Sequence, residues 1–220
     1  MAMVYLSEAF GDEVSSLRID LMRRVDPQKW EILKRMIEKK INTPWTSSMG
    51  RLFDAVSSLL CIRDEVHYEG QAAIELEMIA DPAVKGQYPF HIHQEEKPMV
   101  INTTEIIKGV VHDLMKNVSA SKISGKFHRT IASLIINICD LIRSKEGLNR
   151  VVLSGGVFQN ILLLSLVTKG LEESGFEVYT HHLVPTNDGG IALGQAVIAH
   201  MRLFQTGSPH PIPLPGEAVS

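Results

Sequence analysis

Two strand-to-turn-to-helix corners near the C-terminal end constrain this chain more than anything else in it. The first is Val151-Val152-Leu153-Ser154-Gly155-Gly156-Val157-Phe158-Gln159-Asn160, and the second is Pro185-Thr186-Asn187-Asp188-Gly189-Gly190-Ile191-Ala192-Leu193-Gly194-Gln195. In each, a turn of small residues precedes a helix, so bare backbone and one polar side chain reach a ligand-facing edge. Gly155 and Gly156 lack a Cβ, which permits a sharp turn and close approach of a ligand to the main chain. The unpaired N–H groups of the following helix are expected to favour phosphate there. Asp188, held between Asn187 and the glycine pair, is placed either to cap the last helix or to bind a cation. The two corners lie about thirty residues apart, and their helices are expected to converge on one cleft.

The surrounding sequence is that of a globular α/β chain. Its 220 residues are 45% hydrophobic and 21% charged, enough to bury a real core. Asp26 and Pro27 predict a helix to Ile41, with Trp30, Leu33 and Ile37 at helical spacing. Further helices are expected over Ser48 to Cys61, Ala72 to Ala80, Thr103 to Asn117 and Lys126 to Arg143. Tyr88 to Asn102 reads as an edge hairpin or two strands. From Arg150 the pattern alternates: strand to Leu153, helix Gln159 to Glu173, strand Glu177 to Thr180, helix Ile191 to Phe204. Residues 12–118 thus form a helical part and 121–204 an α/β part, with a small mixed sheet. A Pro-rich tail follows over residues 205–220, expected to lose order along its length.

Charge and cysteine content exclude several classes. A net charge of −3 gives no basic field for a nucleic acid backbone. Cys61 and Cys139 each sit in an apolar helical pattern and are expected as buried, reduced thiols. The run Thr130 to Ile142 is broken by Asn137 and Asp140 and is too short to cross a bilayer. The N-terminus shows no secretory signal, so a cytoplasmic protein without a membrane partner is expected. His91 and His93 share a strand face but lack a nearby third ligand, and a solvated edge is expected. His128 is expected as a partly buried, hydrogen-bonded imidazole rather than a base. No H-E-x-x-H, no G-x-S-x-G and no Walker lysine occurs.

Five segments, in order, resemble the HypF carbamoyltransferase family: Thr46 to Val56, Tyr68 to Ala73, Phe127 to Thr130, Leu153 to Asn160 and Asn187 to Gln195. The resemblance runs from the Glu8-Ala9-Phe10-Gly11 segment to about His200. It implies a Kae1-like lobe over residues 1–204, of the actin, Hsp70 and sugar-kinase (ASKHA) type. It also implies carbamoyl transfer: carbamoyl phosphate and ATP form a carbamoyl adenylate, and the carbamoyl group passes to the C-terminal cysteine of HypE. The product supplies the cyanide ligands of [NiFe]-hydrogenase iron.

Residue by residue, similarity to the related Kae1-like tRNA-modification proteins implies a ribose contact for Asp54 and a loop-glycine contact for Gly70. It implies a nucleoside contact for Asn160, whose amide would offer both a donor and an acceptor, and a metal ligand for Asp188. Gly155 and Gly156 would leave room for the nucleotide against the backbone. Gln71 departs from the second glycine of the related loop. The divalent metal, iron or zinc, would need ligands outside this chain, because the family's H-x-x-x-H motif does not occur in it. The isolated chain is therefore expected to be inactive, with HypE and the remaining HypF domains as partners. The competing expectation is a noncatalytic docking lobe for those partners. Missing neighbours would leave an apolar face exposed, so a homodimer is also expected to be possible.

Overall fold

The computed structural model describes residues 1–44, 46–96 and 98–206. The expectation for the tail from Gly207 to Ser220 lies outside the described residues. The chain opens with α1 (Ala2–Phe10), a 3-10 helix (Gly11–Ser16), α2 (Asp20–Arg24) and α3 (Pro27–Glu38). Next come α4 (Met49–Leu59), α5 (Gln71–Met78), the strands β1 (His91–His93) and β2 (Val100–Asn102), and α6 (Thr104–Met115). The last part holds α7 (Ala120–Glu146), β3 (Arg150–Leu153), α8 (Ile161–Glu173), β4 (Glu177–Thr180) and α9 (Ile191–Thr206). One 3-10 turn, Gly156–Gln159, precedes α8, and another, Asp188–Gly190, precedes α9. The strands form two separate pairs, not one mixed sheet: β1 with β2 antiparallel, and β3 with β4 parallel.

The core is built by α1, α4, α6, α7 and α8. Phe53 and Phe127 sit edge to face at its centre, 4.9 Å between ring centroids, with Leu6, Leu52, Ile106, Ile123 and Leu163 fully buried around them. Asp26 accepts hydrogen bonds from the backbone N–H of Gln28 and Lys29, so the expected cap of α3 is present. Leu33 and Ile37, however, are exposed, and no residue of α3 is buried.

α7 begins at Ala120, six residues ahead of the expected Lys126. Its first two turns are rich in Ser, Lys and Gly, so apolar counting missed them. Within them Ile123, Ser124 and Gly125 are buried, and close backbone approach holds the segment: the Ser124 hydroxyl donates to the Leu76 carbonyl at 2.6 Å, and Asp81 N–H donates to the Ser121 carbonyl. The expectation of buried thiols is corrected as well. α4 ends at Leu59, which leaves Cys61 exposed beyond its last turn at φ 58, and Cys139 is half-buried.

The parallel pair β3 and β4 is covered on one face only. Leu153 is buried, and Val151 and Val178 pack against the core, whereas Val152 is 67% exposed and its register partner Tyr179 is 46% exposed. Parallel strands are normally covered on both faces. α9 is apolar around most of its circumference, yet Ile191, Val197, Ile198, Met201 and Phe204 are all at least half exposed. A helix of that composition is ordinarily buried. We expect the chain to self-associate with rising concentration, and Val197→Glu with Ile198→Glu to suppress it. Sedimentation velocity over a concentration series reads this out; a monomer at every concentration would refute it.

Candidate functional site: the joined glycine corners

The first corner leaves β3 at Ser154 and turns at Gly155, whose φ of 105° is reserved for glycine and whose absent Cβ would face open space. Its N–H donates to the Thr186 carbonyl at 2.8 Å, and the Thr186 hydroxyl donates back to the Gly155 carbonyl at 3.2 Å. These two bonds tie the first corner to the second, so the two corners are neighbours in the structure. Beside the junction, Ser154 Oγ and His181 Nε2 lie 3.0 Å apart and link the residues that follow β3 and β4. A pocket of about 360 Å³ opens here, walled by Leu153, Phe158, Leu164 and Pro185, with polar groups from Gln159, His181 and Thr186. It lies at the C-terminal ends of parallel strands, where open α/β sheets bind ligands.

At the second corner Asn187, not Asp188, provides the local cap, accepting from Gly189 N–H at 3.1 Å. That frees the Asp188 carboxylate, which is exposed at the start of the 3-10 turn. The second glycine after it is sterically required: a Cβ on Gly190 would meet the Pro185 carbonyl oxygen at 2.8 Å. Among the described residues no three His, Cys, Asp or Glu side chains cluster as a metal shell.

The expected phosphate seat at the start of α8 is corrected. Leu162 N–H donates to the Glu77 carboxylate at 2.9 Å and Leu163 N–H to Asn160 Oδ1 at 2.8 Å. A carboxylate brought in from α5 already occupies the positive end of this helix and would repel phosphate. The amide of Asn160 is also largely committed: Oδ1 caps α8, and Nδ2 donates to His128 Nε2 at 2.9 Å. Asn160 is therefore not the free donor and acceptor expected from the sequence, and it retains one Nδ2 hydrogen.

Asp54 and Gly70 stand further out. α4 packs against the Gly156–Gln159 turn, yet the Asp54 carboxylate, 30% exposed, lies 3.5 Å from Arg51 of its own helix. Burial, with the Glu8 and Asp54 carboxylates adding to it, pushes the Tyr5 phenol above its ordinary range. Gly70 starts α5 in a left-handed conformation at φ 78°; Glu77, near the other end of α5, touches α8, so the length of α5, about 10 Å, separates Gly70 from that contact.

Gln71, which departs from the related loop, has a clear role. Buried, it accepts from His67 N–H at 2.8 Å and donates to Glu75, which also pairs with Arg63 through two bonds. These bonds fix the loop ahead of α5. Sequence reasoning missed Glu77, Gln71 and the Ser154 to His181 link, because no local pattern announces partners that meet only in the fold.

His128 is fully buried. Its Nδ1–H donates to the Ser124 carbonyl at 2.8 Å while Nε2 accepts from Asn160, which defines the neutral tautomer. Burial pushes the imidazole below its ordinary value of 6.5, against the Ser124 bond and the Glu77 carboxylate, which favour the cation. Above that value both folded and unfolded chains hold the ring neutral. Below it the unfolded chain takes up a proton that the folded one resists, so stability falls as pH drops. Urea midpoints between about pH 7 and about pH 5 should decline, and His128→Gln should flatten that decline. The paired carboxylates titrate lower: burial opposes ionisation of Asp113, but bonds from Lys126 and Tyr88 outweigh it and hold the group below 3.8.

Comparisons with known proteins agree with this architecture. The family model "Carbamoyltransferase, Kae1-like Domain, second subdomain" matches residues 1–195. Probable carbamoyltransferase HypF of Methanocaldococcus jannaschii is 34% identical over 200 residues, covering 90% of this chain and 25% of that protein. Carbamoyltransferase HypF of Synechocystis is 35% identical over 162 residues, covering 73% of this chain and 20% of that protein. A crystal structure of full-length HypF in the phosphate- and nucleotide-bound form superposes with a TM-score of 0.83 at 43% identity, over 90% of this chain and 26% of that one. HypF of T. kodakarensis shares the fold, with a TM-score of 0.73 at 24% identity, over 91% of this chain and 27% of that one. The chain thus spans about a quarter of the length of these relatives. Its fold is a helix-rich α/β lobe of the ASKHA type, and no described helix is long and apolar enough to cross a membrane. By this match over most of its length, the chain belongs to the HypF carbamoyltransferase family, as the second subdomain of the family's Kae1-like domain.

Proposed function

We propose that this chain forms one wall of a nucleotide cleft in a carbamoyltransferase that uses carbamoyl phosphate and ATP to form carbamoyl adenylate. The carbamoyl group then passes to the C-terminal cysteine thiol of HypE, for the cyanide ligands made in [NiFe]-hydrogenase maturation. The observation that supports this reading is the double hydrogen bond between Gly155 and Thr186, which joins the two corners beside one pocket that Phe158 and Gln159 of the first and Pro185 and Thr186 of the second help to line. A pocket of about 360 Å³ is within the range for a small organic ligand, and its apolar walls suit a flat heterocycle.

Gly155 and Gly156 let the nucleotide approach the main chain. Asp54 accepts from ribose hydroxyls, the Gly70 loop closes the same side, and Asn160 donates its remaining amide hydrogen. Asp188 gives one ligand to a divalent iron or zinc ion whose other ligands lie on a neighbouring domain; such an ion polarises a carbonyl or phosphoryl oxygen when bound. We place the reaction in the cytoplasm, where thiols such as Cys61 and Cys139 stay reduced. Partners are HypE and the other domains of a HypF protein; neither nucleic acid nor a membrane is part of the proposal.

Because the chain supplies a single wall, ATP should bind it weakly, with Kd on the order of 1 mM, and divalent metal should not tighten it. Calorimetric titration of ATP with and without the metal tests this. Strong, metal-dependent binding would refute a half-site. A second reading is favoured by the uncovered apolar residues of α9 and the bare face of β3 and β4: a noncatalytic docking lobe for HypE or for neighbouring domains. Substitution of Asp188, argued in the Discussion, separates the two.

A further inference from the structure

The buried imidazole of His128 has contacts that packing alone does not require. Its ring meets Phe53 of α4 edge to face at 5.4 Å, and its Nδ1–H donates to the carbonyl of Ser124, whose hydroxyl donates to Leu76 of α5. Its Nε2 accepts from Asn160, the cap of α8. Three helices meet at the ring, and α5 is joined to it through Ser124. A leucine would fill the volume without placing polar atoms in the core, and burying an imidazole is favourable only when both nitrogens are satisfied.

We propose that His128 is a positioning residue: in its Nδ1–H tautomer it fixes the plane of the Asn160 carboxamide, and with it the ligand-facing turn at Gly155 and Gly156. The proposal rests on the nucleotide reading above and deepens it. Asn160 Oδ1 accepts from Leu163 N–H, and one Nδ2 hydrogen is given to His128. Besides the second lone pair of Oδ1, what remains is one Nδ2 hydrogen in a plane set by His128. Through that hydrogen Asn160 can recognise an acceptor on the ligand, such as a ribose oxygen or a ring nitrogen of the base. A second donor at Nε2, as in the imidazolium, would face the Asn160 amide hydrogens. The amide would have to turn over, and the cap of α8 would be lost. The groups facing the ring are Phe53 from α4, Glu77 from α5, Ser124 and Phe127 from α7, and Asn160. Glu77 is the only charged one among them.

The test is nitrogen-15 NMR on this chain, unsubstituted and as His128→Gln and His128→Leu, first without nucleotide and then with ATP. Without nucleotide, the His128 ring should show the Nδ1–H tautomer. His128→Leu should move the Asn160 side-chain amide and the Gly155 and Gly156 backbone amides. His128→Gln, which offers both an acceptor and a donor, should restore them. With ATP, His128→Leu should weaken binding about tenfold, which corresponds to the loss of one hydrogen bond, and His128→Gln should recover most of it.

Corner resonances that are unchanged in His128→Leu, or equal ATP affinity in that variant, would overturn the positioning role while leaving the nucleotide reading intact. If ATP perturbs none of these resonances in the unsubstituted chain, the nucleotide reading itself fails and this role falls with it. Should His128→Leu not fold, acid titration of the unsubstituted chain decides. The Asn160 and Gly155 signals must then move with the same midpoint as the His128 ring, and separate midpoints would overturn the proposal.

Discussion

Gly125→Ala should lower the unfolding free energy by about 3 kcal/mol, at the upper end of what overpacking a core costs. On an open helix this substitution would be stabilising, since glycine is roughly 1 kcal/mol worse than alanine in a helix interior. Here the added Cβ would sit 2.2 Å from the Asp81 carbonyl oxygen and 2.7 Å from Val84 Cγ1. The first obstacle is backbone, which cannot rotate aside. The segment from Asp81 is also anchored to α7 by the Asp81 to Ser121 bond, so relief requires separating the two. Ser124 and His128 lie on the same stretch of helix, and the Asn160 cap should loosen as well. Urea unfolding monitored by circular dichroism measures the loss. Gly194→Ala is the control: no atom lies within 4 Å of its Cβ position on α9, and stability should not fall. Equal behaviour of the two variants would show that α7 and the Asp81 segment are not in this contact.

Asp188→Ala should leave thermal stability unchanged and abolish carbamoyl transfer when placed in a full-length HypF protein carrying this lobe. Stability is insensitive because the carboxylate is exposed and Asn187 carries the cap. Under the proposed function transfer is sensitive, because there Asp188 is a charged ligand of the metal and its removal weakens the ion's binding, with an expected activity loss of about 100-fold. Mass spectrometry of the acceptor's C-terminal cysteine reads the carbamoyl group directly. An intact rate in this variant would favour the docking lobe over the catalytic wall. The same variant in the isolated chain should leave the urea midpoint where it was, which separates a catalytic loss from misfolding.

The local content of the fold was readable from the sequence. Asp26 followed by Pro27 announced α3, the glycine pairs announced both corners, and alternating strand and helix patterns announced the unit from β3 to α9, because capping, turn geometry and periodicity act within a few residues. Resemblance then supplied names for Asp54, Gly70, Asn160 and Asp188, but not their surroundings. Tertiary structure alone decided what each polar group does. Glu77 reaches Leu162 N–H across 85 residues of chain and takes the helix end that a phosphate would have used. The tautomer of His128 is set by partners on two helices. At the start of α7 only Ile123 is a large apolar residue in the core, and the rest is held by close backbone approach at Ser124 and Gly125, so a hydrophobic count gave little sign of it. Likewise α9 reads as a core helix, yet stands uncovered in this chain. A sequence fixes which faces are apolar through local side-chain order, whereas whether a face is covered depends on which other segments are present to pack against it.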